Sequence, residues 1–215
     1  MQRNFISWYN LFKNHLPEYK RMDLRNMNYD VLFNEFQCIE SKDLTLRKIE
    51  ISDLNDLYEI CSNEKLYSYK PGNAKKTIDA VENMISHFER DFKKKKTIFL
   101  GICLNDASQK FVGIVEIFEV NQRVNLVNIG YTLNEKYWGR GIATKAVKIL
   151  MDYLFEVIDV NRIQAYIMPI NVKSQNVLVR NGFIKEGTIR QGFIWTGKGV
   201  VDLEVYSILK SDVSK

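Results

Sequence analysis

The chain has 215 residues, 46% of them apolar and 27% charged, which suits one sizeable domain with a core of its own. No apolar run is long enough to cross a bilayer, and Met1-Gln2-Arg3-Asn4-Phe5 opens no apolar signal core, so the expected location is cytoplasmic. A net charge of +5 is too small to argue for nucleic acid. Three scattered cysteines and two distant histidines suggest no disulfide frame, metal site or Cys–His nucleophile.

Residues 1–43 read as an N-terminal helical extension, with Phe5, Trp8, Tyr9, Phe12 and Leu16 recurring on one helical face. That face suits packing on the domain or on a second subunit, so a homodimer is one expectation. Residues 44–215 read as the main domain. Its first strand starts at Leu44, and Ser52 and Asp53 are positioned to cap a helix ending near Cys61. A second helix is expected over Lys75–Lys94, with Ile78, Val81, Ile85 and Phe88 on one face, and the lysine run 93–96 suits its C-terminal dipole. Cys38, Cys61 and Cys103 each read as small buried apolar residues.

Thr97–Leu104 and Phe111–Phe118 then read as a hairpin, and Val124–Leu133 as a further strand. Apolar residues from Ile142 to Leu154 at three- and four-residue spacing predict a strong helix. A strand over Asn161–Ile167 follows, stopped by Pro169, and then a short helix over Val172–Arg180 closed by Asn181-Gly182. Phe183–Arg190 and Val200–Leu209 read as a closing antiparallel pair. The class is α+β: a mostly antiparallel sheet with one central, right-handed β-α-β crossover joining two parallel neighbours.

Two stretches carry chemistry. In the first, the strand ending Tyr131-Thr132-Leu133 runs into Trp138-Gly139-Arg140-Gly141-Ile142-Ala143-Thr144 at the start of a helix. The first helical turn leaves N–H groups unpaired and carries partial positive charge, Gly139 and Gly141 let an anion approach the backbone, and Arg140 adds a full charge. A pyrophosphate fits such a loop, although glycines in a plain turn would read alike. The string is not a P-loop, and Thr144 stands where a dinucleotide fingerprint needs its third glycine. The second stretch, Asn171 to Phe183, follows the strand beyond the crossover, so both leave the sheet at the same edge.

Together the two stretches resemble the GNAT N-acetyltransferases, and within them the RimJ/RimL-like branch. Trp138-Gly139-Arg140-Gly141-Ile142-Ala143 is similar to the family's acyl-CoA loop, [QR]-x-x-G-x-[GA]. Asn171, Ser174, Val177, Leu178, Arg180, Gly182 and Phe183 fall on its second signature. The resemblance covers about residues 44–210 and implies the GNAT fold, helices on both sheet faces, acetyl-CoA as co-substrate, no metal, and an amine acceptor attacking the thioester directly. It places pantetheine near Tyr131, Thr132 and Leu133, makes Asn171 a CoA contact, and makes Ser174 the candidate acid for the leaving thiolate. This sequence departs from the family in having Trp138 where Gln or Arg is usual, and Asn128 where many relatives carry Glu.

For the base, Glu116 is the candidate, a carboxylate inside the apolar run Val112–Phe118; a solvated outward glutamate or a water relay are the other readings. Glu59, Glu64, Tyr67 and Tyr69 stand on the expected acceptor side, where they could meet a cation. Acceptors from a protein N-terminus to a polyamine remain open. No membrane or direct nucleic-acid partner is expected. A non-catalytic acyl-CoA sensor on the same fold, or a ribosome- or RNA-associated module, are the competing functions.

Overall fold

A computed structural model describes residues 27–213. Eight strands form one sheet in the order β1-β2-β3-β4-β5-β6-β8-β7. They are β1 (Ile39–Glu40), β2 (Leu44–Lys48), β3 (Thr97–Leu104), β4 (Phe111–Asn121), β5 (Leu126–Leu133), β6 (Arg162–Ile167), β7 (Ile184–Trp195) and β8 (Gly199–Leu209). Every neighbouring pair is antiparallel except β5–β6, the parallel pair joined by the expected crossover.

Six helices accompany the sheet among the described residues: α1 (Tyr29–Asn34), α2 (Leu54–Cys61), α3 (Ile78–Lys93), α4 (Ile142–Glu156), α5 (Val172–Arg180) and α6 (Lys210–Val213). The larger core lies between the sheet and α4, where Ala146, Val147, Leu150 and Leu154 meet Val127, Ile129, Ile163 and Ala165. Leu178 of α5 joins the same layer. A smaller core gathers Leu57 and Ile60 of α2, Val81, Ile85 and Phe88 of α3, and Phe111 and Ile114 of β4 on the other face. Thr77 caps α3 by accepting the Ala80 N–H, and Phe88 stacks on Phe99 of β3.

The strand expected from Leu44 is β2, preceded by the short β1, while α2, α3, the crossover and the closing pair lie where the periodicity puts them. Several details differ. Asp53 does not cap α2: its carboxylate is held by both Arg47 guanidinium nitrogens and by the Glu50 N–H, closing the tight turn before the helix. β4 continues past Phe118 to Asn121, because register shifts between those residues carry the strand on after its apolar alternation ends. β7 likewise continues to Trp195. Cys61 and Cys103 are buried, but Cys38 is exposed, since it stands in the link between α1 and β1 that nothing covers.

Within the expected extension, Met27, Leu32 and Phe33 are buried in the larger core, and β1 pairs with β2. The helix expected through Phe5, Trp8, Tyr9, Phe12 and Leu16 lies outside the described residues. Among the described residues no helix is long and apolar enough to cross a membrane. None of their His, Cys, Asp or Glu side chains form a group of three that could hold a metal.

Candidate active site

The parallel ladder of β5 and β6 is short, pairing Leu126 with Arg162, Val127 with Ile163 and Asn128 with Gln164, and then it stops. Beyond that rung the strands part, and a cavity of about 380 Å³ opens beside the end of β5. Tyr131, Thr132 and Leu133 of β5 line it, with Trp138, Gly139, Gly141, Ile142, Ala143 and Thr144 of the loop and first turn of α4, and Asn171 and Ser174 of α5. The structure thus brings eleven of the twelve residues expected to hold the donor to one cavity. The exception is Arg140, whose guanidinium sits 5.1 Å over the Tyr137 ring.

The loop is shaped for an anion. Gly139 and Gly141 both take φ of +75°, a left-handed conformation that favours glycine, and a Cβ on either would meet nothing within 4 Å. Gly141 is the N-cap of α4, and the first helical bond runs from the Lys145 N–H to the Gly141 carbonyl. The N–H groups of the first turn are therefore left for a ligand, with the helix dipole behind them. Lys173 and Arg180 of α5 add two cations to the lining. Trp138, in place of the family's Gln or Arg, anchors the loop: its indole N–H donates to the Leu133 carbonyl at 3.0 Å, and Lys173 Nζ lies 4.8 Å over its ring.

α5 holds the opposite wall. The Asn171 side-chain oxygen accepts the Ser174 N–H, which caps the helix. At the other end Asn181 Nδ2 donates to the Thr144 carbonyl, tying α5 to the first turn of α4, and Gly182 closes the helix at φ +85°. Tyr131 donates its hydroxyl to the Ser174 carbonyl at 3.0 Å, and burial pushes that phenol well above its ordinary pKa, so it stays protonated. Both backbone groups of Ser174 are thus fixed, and its hydroxyl stands beside the Tyr131 phenol.

Glu116 does not line the cavity. It is half-buried on β4 opposite Gly130 of β5, and its carboxylate lies over that glycine, where an added Cβ would come within 2.3 Å of Oε1. Thr132, two residues along β5 on the same face, does line the cavity, so Glu116 stands one strand repeat, about 7 Å, from it. Asn128 is 2% exposed and fully engaged: its oxygen accepts from Gln164 Nε2 and its amide donates to Glu119. From Gln164 the network continues through Arg162 and Glu186 to Ser207.

The mouth on the α2–α3 side is formed by Leu66, Tyr69 and Lys70. Of the four acceptor-side residues expected, only Tyr69 lines the cavity. Lys136 and Asn134 hold the Glu59 carboxylate below its usual range, Lys76 does the same for Glu64, and Tyr67 packs on Gly72 with its hydroxyl on the Cys61 carbonyl. The lining also includes Leu66, Lys70, Tyr137, Lys173, Asn176, Val177 and Arg180, which sequence reading did not single out as site residues. Four of these lie at helical spacing, so one face of α5 could have been read as a wall.

Comparison with known proteins agrees with this fold. The model of the Acetyltransferase (GNAT) domain family matches residues 43–184. An uncharacterized N-acetyltransferase of Bacillus subtilis, YoaA, is 27% identical over 81% of this chain and 98% of its own length. A spermidine N(1)-acetyltransferase of Vibrio cholerae is 22% identical over 72% of this chain and 87% of its own. Among solved structures, Mycobacterium smegmatis RimJ in complex with CoA-disulfide superposes with a TM-score of 0.73, at 21% identity, over 84% of this chain and 88% of that one.

Proposed function

The chain belongs to the acetyltransferase (GNAT) family, and from that premise we propose that it is an acetyl-CoA-dependent N-acetyltransferase that presents a primary amine for direct attack on the thioester. The observation that carries this reading is the left-handed glycine pair at the N-terminus of α4, opening into the cavity where β5 and β6 part. Acetyl-CoA supplies the activated acyl group. The residues present fit it: free N–H groups of α4 with Lys173 and Arg180 suit phosphates, and the parted edge of β5 near Tyr131 suits an amide-bearing arm. In this reading a backbone N–H at the end of that strand polarises the thioester carbonyl.

Glu116 Oε1, one strand repeat from the lining, takes the amine proton through a water. The new N–C bond forms as the C–S bond breaks. Ser174 Oγ–H then donates its proton to the departing sulfur as it takes one back from solvent water, while Tyr131 and Asn171 hold the Ser174 backbone still. No protein nucleophile is needed. An α-amine, with a pKa of about 7.7–8.0, asks less of this base than a lysine at about 10.4.

The test is thiol release from acetyl-CoA against a panel of amines and N-terminal peptides. Turnover on any member supports the transferase. Tight acetyl-CoA binding with no turnover favours a sensor, a reading supported by Glu116 lying outside the lining. No CoA binding would sink both.

A further inference from the structure

The charged residues of the cavity all have one sign. Lys70, Lys173 and Arg180 line it, and no carboxylate does among the described residues. These cations stand at different places. Arg180 closes α5 beside Asn181, whose amide is bonded to Thr144 in the first turn of α4, so it belongs to the phosphate end. Lys70 instead follows the turn Glu64–Ser68, whose Ser68 carbonyl accepts from Lys198 in the β7–β8 turn. It thus stands in the mouth, on a segment tied to the β7–β8 turn and not on α4 or α5.

The carboxylates on the segments around that mouth are each paired with a lysine. Glu59 pairs with Lys136 at 2.6 Å, Glu135 with Lys65 at 2.7 Å, and Glu64 with Lys76 at 2.5 Å. Lys70 is half-buried, and no described carboxylate or carbonyl holds its ammonium. A partly desolvated cation beside paired acids favours an anion and repels a further cation.

We infer that the acceptor carries an anionic group, carboxylate or phosphate, close to the amine that is acetylated, and that Lys70 in the cavity mouth holds it. The inference rests on the transferase reading and narrows it: a polyamine, bringing two or more further positive charges, is a poor acceptor here. Lys70 acts in acceptor binding and specificity; the donor is held by the opposite end.

The experiment compares kcat/KM for matched amines on the wild type, Lys70→Gln and Lys70→Glu. The pairs are an α-amino acid and its amide, phosphoethanolamine and ethanolamine, and N-terminal peptides with acidic or basic second residues, with spermidine alone as the polycation. The amide has the less basic amine, so its larger neutral fraction works against the expected preference. The anionic member of at least one pair should lead in the wild type. Which pair leads separates carboxylate from phosphate and small acid from peptide. Lys70→Glu should lower the favoured kcat/KM about 10- to 100-fold, through acceptor KM, leaving the KM of acetyl-CoA unchanged.

Spermidine matching the best anionic acceptor would overturn the inference, and so would a Lys70→Glu effect confined to acetyl-CoA. A second measurement does not need turnover. Binding of an N-acetylated acid and of its amide is measured calorimetrically in the presence of CoA. Acid-selective binding lost in Lys70→Glu supports the anion site even if no amine is acetylated, which would refute the transferase alone. Equal binding of acid and amide overturns the anion site.

Discussion

Gly141 tests the proposed phosphate site most directly, because its two roles separate energetically. A Cβ there meets nothing within 4 Å, so Gly141→Ala costs only the strain of a left-handed residue at φ +75°. That strain is about 1–2 kcal/mol, which for a chain of this size lowers Tm by about 2–8 °C. Gly141→Asp pays a similar strain and adds a negative charge at the α4 N-terminus. At about 6 Å from a phosphate charge the repulsion is about 0.7 kcal/mol in water-like surroundings and about 3 kcal/mol near a protein surface. CoA affinity should therefore fall roughly 3- to 100-fold below that of Gly141→Ala, the larger loss at low salt. Calorimetric titration with CoA at two salt concentrations, beside thermal melts, reads both numbers. Equal CoA affinities for the two variants at low salt would refute the placement of phosphate at this helix end.

Gly130→Ala should push the Glu116 side chain aside, since its Cβ would come within 2.3 Å of Oε1 and 2.8 Å of Cγ. Its kcat should drop about 10²-fold, as in Glu116→Gln, with little change in Tm; wild-type kcat in a folded Gly130→Ala would remove Glu116 from the mechanism. Ser174→Ala should lower kcat about 10- to 100-fold with CoA affinity unchanged, measured by single-turnover thiol release and calorimetry; a shift in affinity alone would make Ser174 only a binding residue. Arg162, followed by Ser207, holds the Glu186 carboxyl at about 2, below the usual carboxylate range. A depressed folded-state value contributes stability that is present above about pH 4.5 and lost as pH falls through about 2. Because the carboxylate is 41% exposed, solvent limits this to less than about 1 kcal/mol. Glu186→Gln should flatten the acid limb of a pH–stability curve in that window, and an unchanged limb would count against the pairing.

The parts legible in the sequence are those whose signals are local. The glycine loop and the α5 signature each lie within a dozen or so residues, and the periodicity of α4 fixes which strands it joins. What stayed hidden depends on contacts between distant segments. Lys70 enters the mouth because residues 63–65 are tied to Glu135 and Ser68 to Lys198, bonds spanning 70 or more positions. Glu59 and Glu64 read as acceptor-side charges, but only the fold reveals the lysines that neutralise them. Asp53 read as a cap because of its place before a helix; Arg47, on the neighbouring strand, claims it instead. Glu116 was visible as an anomaly in an apolar run, yet its distance from the cavity follows from the cross-strand register with Gly130.

The amide pair Asn128–Gln164 sits on the last paired rung of β5 and β6. Two side chains outside the cavity lining thus mark the stop of a zipper, the point beyond which the two strands separate. The length of the open stretch is a dimension of the molecule, set by where that stop falls along the chain. Moving the stop one residue would turn these amides to the opposite face of the sheet, into the apolar layer under α4. The gap is therefore adjustable only in steps of two residues, so its size behaves as a discrete quantity that single substitutions cannot tune gradually.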